Sequence, residues 1–271
     1  ISGKNFYIKD IIDQINNNDN LSKSIFDNLN TIIDINISTI YLDPKNFVNN
    51  FSGNIIYKKN KIYKSDLVST FPNNKKLNLT INTNENNEKI TTIYSENPKP
   101  LLSSYKFIKG FEEGILDFYS VKRNNVSESV LKISDFKIQE VPVLAKLLTL
   151  ASLQGIADLL TGEGIRFDDF ELKFTSKDKL MRIDELYAIG PAISIMMEGY
   201  IEKNNLISLK GTLVPATTIN RTIASIPLLG NILVGKKVGE GVFGVSFKIK
   251  GPKDKLKTTV NPIKTLTPRF I

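Results

Sequence analysis

Apolar and polar side chains alternate along most of this chain with the two-residue period of a half-buried strand. Ile33, Ile35, Ile37, Thr39 and Tyr41 fall on one face, with Asp34, Asn36 and Ser38 on the other. Leu77, Leu79 and Ile81 alternate with Asn78, Thr80 and Asn82, while Ile207, Leu209 and Leu213 share a face with Gly211. Towards the C-terminus Phe243, Val245, Phe247 and Ile249 alternate with Gly244, Ser246, Lys248 and Lys250. Two strands change phase midway: Leu131 and Ile133 give way to Phe136 and Ile138, and Ile165 and Phe167 to Phe170, Leu172 and Phe174. In both the slip falls at an Asp-Phe pair (Asp135-Phe136, Asp169-Phe170), which predicts a bulge that bends the strand. Roughly ten to twelve strands joined by short turns predict an antiparallel meander.

Two segments break the rhythm. Pro142–Leu153 places Val143, Leu144, Leu147, Leu148 and Ala151 at helical spacing, with proline near the first helical position. Thr217–Val234 carries a shorter helical pattern in Ile219, Ile223 and Ile226, followed by Pro227-Leu228-Leu229-Gly230. Only Lys146 is charged in 141–157 and only Arg221 in 217–235, so both helices must cover something apolar: the concave face of a sheet, another chain or lipid. No stretch reads as a spanning helix, because Val141 to Leu160 is interrupted by Pro142, Lys146, Gln154, Gly155 and Asp158. The chain also shows no signal-peptide pattern.

These segments belong to an internal duplication. Val141-Pro142-Val143-Leu144-Ala145-Lys146-Leu147-Leu148 aligns without gaps onto Ile226-Pro227-Leu228-Leu229-Gly230-Asn231-Ile232-Leu233. Downstream, Gly162-Glu163-Gly164-Ile165 returns as Gly239-Glu240-Gly241-Val242. Each unit reads as a proline-led apolar helix, a loop, Gly-Glu-Gly and an outgoing strand. Repetition of this kind suits modular β architectures that build scaffolds and grooves. Asparagine divides the chain differently: residues 1–100 hold 21 of its 28 asparagines, which read as turns between short strands. The expected domains are therefore 1–100, an Asn-rich β module, and 101–271, with Asn97-Pro98-Lys99-Pro100 at the boundary.

Composition narrows the chemistry. The 271 residues include no His and no Cys, which excludes His- or Cys-ligated metal sites, thiol nucleophiles and a Ser-His-Asp triad. The formal charge is +8, but 31 of the 36 basic residues are lysines scattered in ones and twos, unlike the clustered arginines of nucleic-acid readers. Abundant Ile, Lys and Asn together reflect A/T-rich codons, so nucleic acid is not an expected partner. Gly162-x-Gly164 and Gly239-x-Gly241 lack the third glycine and the Gly-Lys-Ser/Thr ending of phosphate loops, and read as helix-to-strand turns. Asp168-Asp169 and Glu112-Glu113 are adjacent on strands, so each doublet points to opposite faces and makes no glycosidase pair by itself. Ser103-Ser104-Tyr105-Lys106 is a Ser-x-x-Lys expected by chance in this composition, and Met196-Met197 reads as core packing or an adaptable lipid contact. The expectation is a non-enzymatic protein without catalytic residues, cofactor or metal.

From about Leu101 onward an ordered set of motifs resembles the AsmA-like family, specifically the C-terminal region of the YhdP/TamB-type envelope proteins of Gram-negative bacteria. It runs through Gly190-Pro191-Ala192 and the strand to Gly199-Tyr200-Ile201, then Gly211-Thr212-Leu213-Val214-Pro215 and Ile226-Pro227-Leu228-Leu229-Gly230. It continues with Gly239-Glu240-Gly241, Gly251-Pro252 and Val260-Asn261-Pro262, and closes on Leu266-Thr267-Pro268-Arg269-Phe270. The first 100 residues match only loosely. The resemblance implies a mainly β (α+β) fold: a long curved antiparallel sheet forming a groove with an apolar interior, with two short apolar helices. It implies a periplasmic segment of a bridge-like phospholipid transport protein, anchored to the inner membrane by an N-terminal helix outside this sequence. The partners it implies are phospholipid acyl chains and outer-membrane or periplasmic proteins. On that picture Leu209, Leu213, Phe243, Val245, Phe247 and Ile249 line the groove, and Val143, Leu144, Leu147 and Leu148 form a capping helix. The other reading is an assembly module that pairs its sheet edge with strands of outer-membrane proteins.

Overall fold

The period-two segments are strands in the computed structural model, which describes residues 1–7, 30–58, 61–102, 110–202, 206–215, 244–252 and 255–263. Six strands come first: β1 (Ser2–Tyr7), β2 (Thr31–Tyr41), β3 (Phe47–Lys58), β4 (Lys61–Thr70), β5 (Lys76–Thr83) and β6 (Lys89–Ser95). A short helix α1 (Lys99–Leu102) precedes β7 (Gly110–Arg123) and β8 (Val126–Gln139). Helices α2 (Pro142–Leu150) and α3 (Gln154–Thr161) follow, then β9 (Ile165–Lys177), β10 (Leu180–Ile189) and β11 (Ile193–Glu202). The last described strands are β12 (Leu206–Pro215), β13 (Gly244–Pro252) and β14 (Lys257–Ile263). All lie in one sheet in strict sequence order, so the fold is mainly β. Pairing is antiparallel from β2 to β7 and from β9 to β14. β1 lies parallel to β2.

The fourteen strands among the described residues exceed the ten to twelve expected because some carry no clear apolar face. All six residues of β1 are exposed, and β6 (Lys-Ile-Thr-Thr-Ile-Tyr-Ser) places threonine on both sides. The bulge expected in β8 is present: Asp135 takes φ 53°, and Ile133 and Phe136 are both buried despite their odd spacing. In β9 the exposed Asp168 and Asp169 separate buried Phe167 from half-buried Phe170, and pairing with β10 is regular from Asp169 to Leu172. The face predicted for β2 breaks instead after Ile37. Ile40 and Val48, rather than Thr39 and Tyr41, join Ile37 and Phe71 in a small core. Across from this break Asn50 of β3 adopts φ 54°, and β3 slips there against β4, between Asn49 and Ser52, while its register with β2 is unbroken.

The chain divides into two compact units, residues 1–106 with 112–133 and residues 107–111 with 134–271. In the first unit, rows across the sheet are apolar and small by turns: Leu67, Leu79, Ile93 and Phe118 in one line, and Ser69, Leu77, Ser95 and Leu116 in the next. In the second unit α2 starts at Pro142, whose missing N–H costs nothing at the first helical position. It stops at Leu150 rather than Leu153, with Ser152 in the left-handed region at φ 60°. Helix α3 was not foreseen, since Gly155 and Asp158 interrupt the apolar pattern of Gln154–Thr161. Leu144, Leu147 and Leu148 from α2 and Ala157 and Leu160 from α3 are buried.

Helix α2 packs against α3 and β14, while α3 packs against β9. Six strands laid flat would span about 24 Å between the first and last, and two adjacent helices about 20 Å. The pair therefore reaches from β9 to β14, and its buried leucines lie against this end of the sheet. The second helix expected, Thr217–Val234, and its Gly239-Glu240-Gly241 lie outside the described residues.

Candidate functional site

Strand registers in the second unit gather the apolar residues into rows. Phe170, Ala188, Ile195, Leu213 and Val245 stand opposite one another from β9 to β13. The next row is Leu172, Leu186, Met197, Gly211, Phe247 and Val260, and the one after runs Phe174, Ile183, Gly199, Leu209 and Ile249. A bulge between Ile183 and Leu186 keeps both on this face although three positions separate them. Gly211 leaves room for the Phe247 ring: a Cβ there would sit 2.6 Å from Phe247 Cζ and collide with the Met196 carbonyl. The glycine is thus what lets an aromatic side chain lie flat across the neighbouring strand.

Burial along this face is graded. Ile193, Leu213 and Val245 are 0% exposed, whereas Leu209, Ile207, Met197, Leu186 and Phe174 are half-buried. On β13 only the apolar face is covered: Val245, Phe247 and Ile249 are buried, while Lys248 and Lys250 on the other face are exposed. Nearby, Phe136 gathers three aromatic rings around it, two stacked and one edge-on. Phe136 lies 5.3 Å from Phe111 and 5.5 Å from Phe167, both stacked, and 6.2 Å edge-on from Phe170.

The residues proposed from sequence are placed as follows. Leu209, Leu213, Val245, Phe247 and Ile249 share one face of β12 and β13, and Phe243 lies outside the described residues. Leu144, Leu147 and Leu148 are buried in α2, while Val143 is half-buried. Sequence reasoning missed the contribution of β10 and β11, namely Ile183, Ala188, Ile193 and Ile195. The signal was present in Ile193-Ser194-Ile195 of β11, whereas in β10 the bulge breaks the alternation between Ile183 and Leu186. The Met196-Met197 doublet is split by the strand: Met197 joins the apolar face and Met196 the other.

The opposite face is polar and locked. Glu171 is buried; it accepts a hydrogen bond from Tyr187 Oη at 2.9 Å and pairs with Lys173 Nζ at 3.0 Å. Lys173 also reaches Glu185 at 2.9 Å, and Asp184 accepts from Thr175 and Arg182 at 2.9 and 2.6 Å. An open cleft of about 770 Å³ on this side is lined by Lys173, Glu185, Met196, Thr212, Ser246 and Asn261, among others. Bonds to Glu185 and Glu171 raise the Lys173 ammonium, and burial followed by the Glu171 bond pushes the Tyr187 phenol up to about 12. Lysine is thereby held charged and tyrosine neutral, the reverse of what a base or nucleophile needs.

Both shifts have the same sign for stability. A folded-state value raised above the unfolded one contributes stability below the unfolded value and loses it as pH rises through the folded one. The second unit is expected to lose stability between about pH 10, where free tyrosine titrates, and the Tyr187 value of about 12. Tyr187→Phe should flatten that slope, with one slow-titrating phenol lost from the tyrosinate absorbance. An unchanged alkaline slope would mean that Tyr187 is not its source.

The carboxylate doublets form no pair for acid–base chemistry. Asp168 and Asp169 are both exposed, Glu113 sits at φ 63°, and Glu112 faces Lys99 at 4.0 Å. Gly162-Glu163-Gly164 is a turn from α3 into β9, with Gly164 at φ 90°. Gln139 Nε2 donates to the carbonyls of Gly162 and Glu163 at 3.2 and 2.9 Å, so this loop turns acceptors, not amides, towards its neighbour. Ser103 to Lys106 lie outside the described residues. Among the described residues no group of three His, Cys, Asp or Glu could hold a metal, and no helix is long and apolar enough to cross a membrane. No family model, no curated protein and no solved structure matches this chain.

Proposed function

We propose that this chain is a non-enzymatic, AsmA-like segment of a bridge-like phospholipid transport protein, working in the periplasm between inner and outer membranes. Its partners would be acyl chains held on the apolar face of the sheet, and its membrane anchor would lie outside this sequence. The observation that carries the reading is the set of apolar rows from β9 to β13, with α2 and α3 against one end of the sheet, and half-open at Leu209, Ile207 and Met197. A soluble sheet normally spends such a face on a second layer. Left half-open, it offers lipid tails a surface that water does not reward.

A photoreactive residue placed singly at Leu209, Phe243 or Phe247 is expected to crosslink phospholipid in cells. Absence of lipid adducts at all three positions overturns the reading. The second reading, assembly of outer-membrane proteins by strand pairing, is favoured by one feature. Strand β1 is fully exposed along Ser2–Tyr7, and edge strands recruit further strands. Mass spectrometry of the purified chain separates the two, because the assembly role predicts no co-purified phospholipid.

A further inference from the structure

The inner face of the first unit changes character along its strands in three steps. The row of Leu67, Leu79, Ile93 and Phe118 is apolar. One step along, Ser65, Thr91 and Ser120 bring hydroxyls to the same face, with Ile81 between Ser65 and Thr91. Ser120 exchanges a 2.8 Å hydrogen bond with Ser129, but Ser65, only 2% exposed, has an Oγ without any hydrogen-bond partner. A buried hydroxyl of that kind is disfavoured unless something else meets it. One further step along, half-buried Lys89 stands directly opposite Lys122.

Like charges placed opposite each other on paired strands repel, and Lys61 adds a third positive charge within range. Burial lowers the Lys89 ammonium, and its two lysine neighbours lower it further. Nearby acids are spent elsewhere: Glu88 and Glu128 are both held by Arg123. Among the described residues none of the three lysines has a carboxylate partner. Apolar rows, then hydroxyls, then uncompensated cations form a polarity gradient that matches one class of molecule.

We propose that this face binds an anionic amphiphile, with its phosphate or carboxylate head among Lys61, Lys89 and Lys122. Its linkage oxygens meet Ser65 and Thr91, and its acyl chain lies along Leu79, Ile93 and Phe118. The site rests on the lipid reading given above and specifies the headgroup charge, which that reading leaves open.

The test titrates the full chain by calorimetry with lauroyl lysophosphatidate, with monolauroylglycerol of the same chain length, and with inorganic phosphate. Lysophosphatidate is expected to bind at least about tenfold tighter than monolauroylglycerol. That preference should vanish in the double variant Lys89→Gln, Lys122→Gln and persist in Lys89→Arg, Lys122→Arg, with neither variant melting below the unsubstituted chain. Equal binding of the two amphiphiles, or a preference that survives the glutamine pair, overturns the headgroup site and leaves the lipid reading standing. Inorganic phosphate binding as tightly as lysophosphatidate overturns it as well, since the site would then serve a free anion. If neither amphiphile binds, the lipid reading falls and this site with it.

Discussion

Phe136→Ala is expected to destabilise the second unit by about 3–5 kcal/mol, the largest loss foreseen for any truncation of a single side chain here. Phe136 is 5% exposed and sits at the centre of the ring series, in contact with Phe111, Phe167 and Phe170. Removing the ring leaves a cavity that the surrounding strands cannot close, because β8 is bent at Asp135 to deliver Phe136 to that place. It also removes three aromatic contacts, each worth about 0.5–1.5 kcal/mol beyond simple burial. Phe111→Ala removes one such contact and should cost less. With about 2–4 °C per kcal/mol for a unit of this size, the melting midpoint should fall by about 6–20 °C. Circular dichroism melts of both variants check the order. Were Phe136→Ala to lose no more than Phe111→Ala, the ring series would not be the centre of this core.

How much of this was legible beforehand depends on which signal each element carried. The strands with strict alternation, such as Val245 to Ile249 and Leu77 to Ile81, could be read directly, as could the bulge at Asp135 and the proline-led start of α2. The sheet order followed from short connections, since consecutive strands pair when the chain has no length to cross over. Other features depend on a partner strand that alternation does not report. The turn of β2 away from Ile37 lies across from the left-handed Asn50 of β3, and the alignment of Ile183 with Leu186 originates in the β10 register. The face of Lys89 and Lys122 was invisible for the same reason. Each is an ordinary lysine in sequence, and only pairing of β6 with β7 brings them opposite each other.

Within the proposed groove, a single charge at two neighbouring positions should separate stability from lipid binding. Leu209 and Leu213 lie on the same face of β12, one turn of alternation apart from Gly211 on either side. Leu213 is 0% exposed and Leu209 half-buried. A carboxylate at 213 is cut off from water, where an unpaired charge costs several kcal/mol even after relaxation, so Leu213→Glu is expected to prevent folding of the second unit. At 209 the longer side chain reaches solvent and keeps its charge hydrated, so Leu209→Glu should cost no more than about 1–2 kcal/mol. An acyl chain on the face loses about 0.8 kcal/mol for each methylene it can no longer bury, and it must also exclude water from the new carboxylate. Loss of four or five methylene contacts amounts to about 3–4 kcal/mol, a fall of more than a hundredfold in affinity. Leu209→Glu is therefore expected to remain folded by circular dichroism while co-purified phospholipid drops below detection, and Leu209→Met should retain it. A folded Leu209→Glu protein carrying wild-type amounts of lipid would place the lipid elsewhere, and the apolar rows of β9 to β13 would then need another occupant.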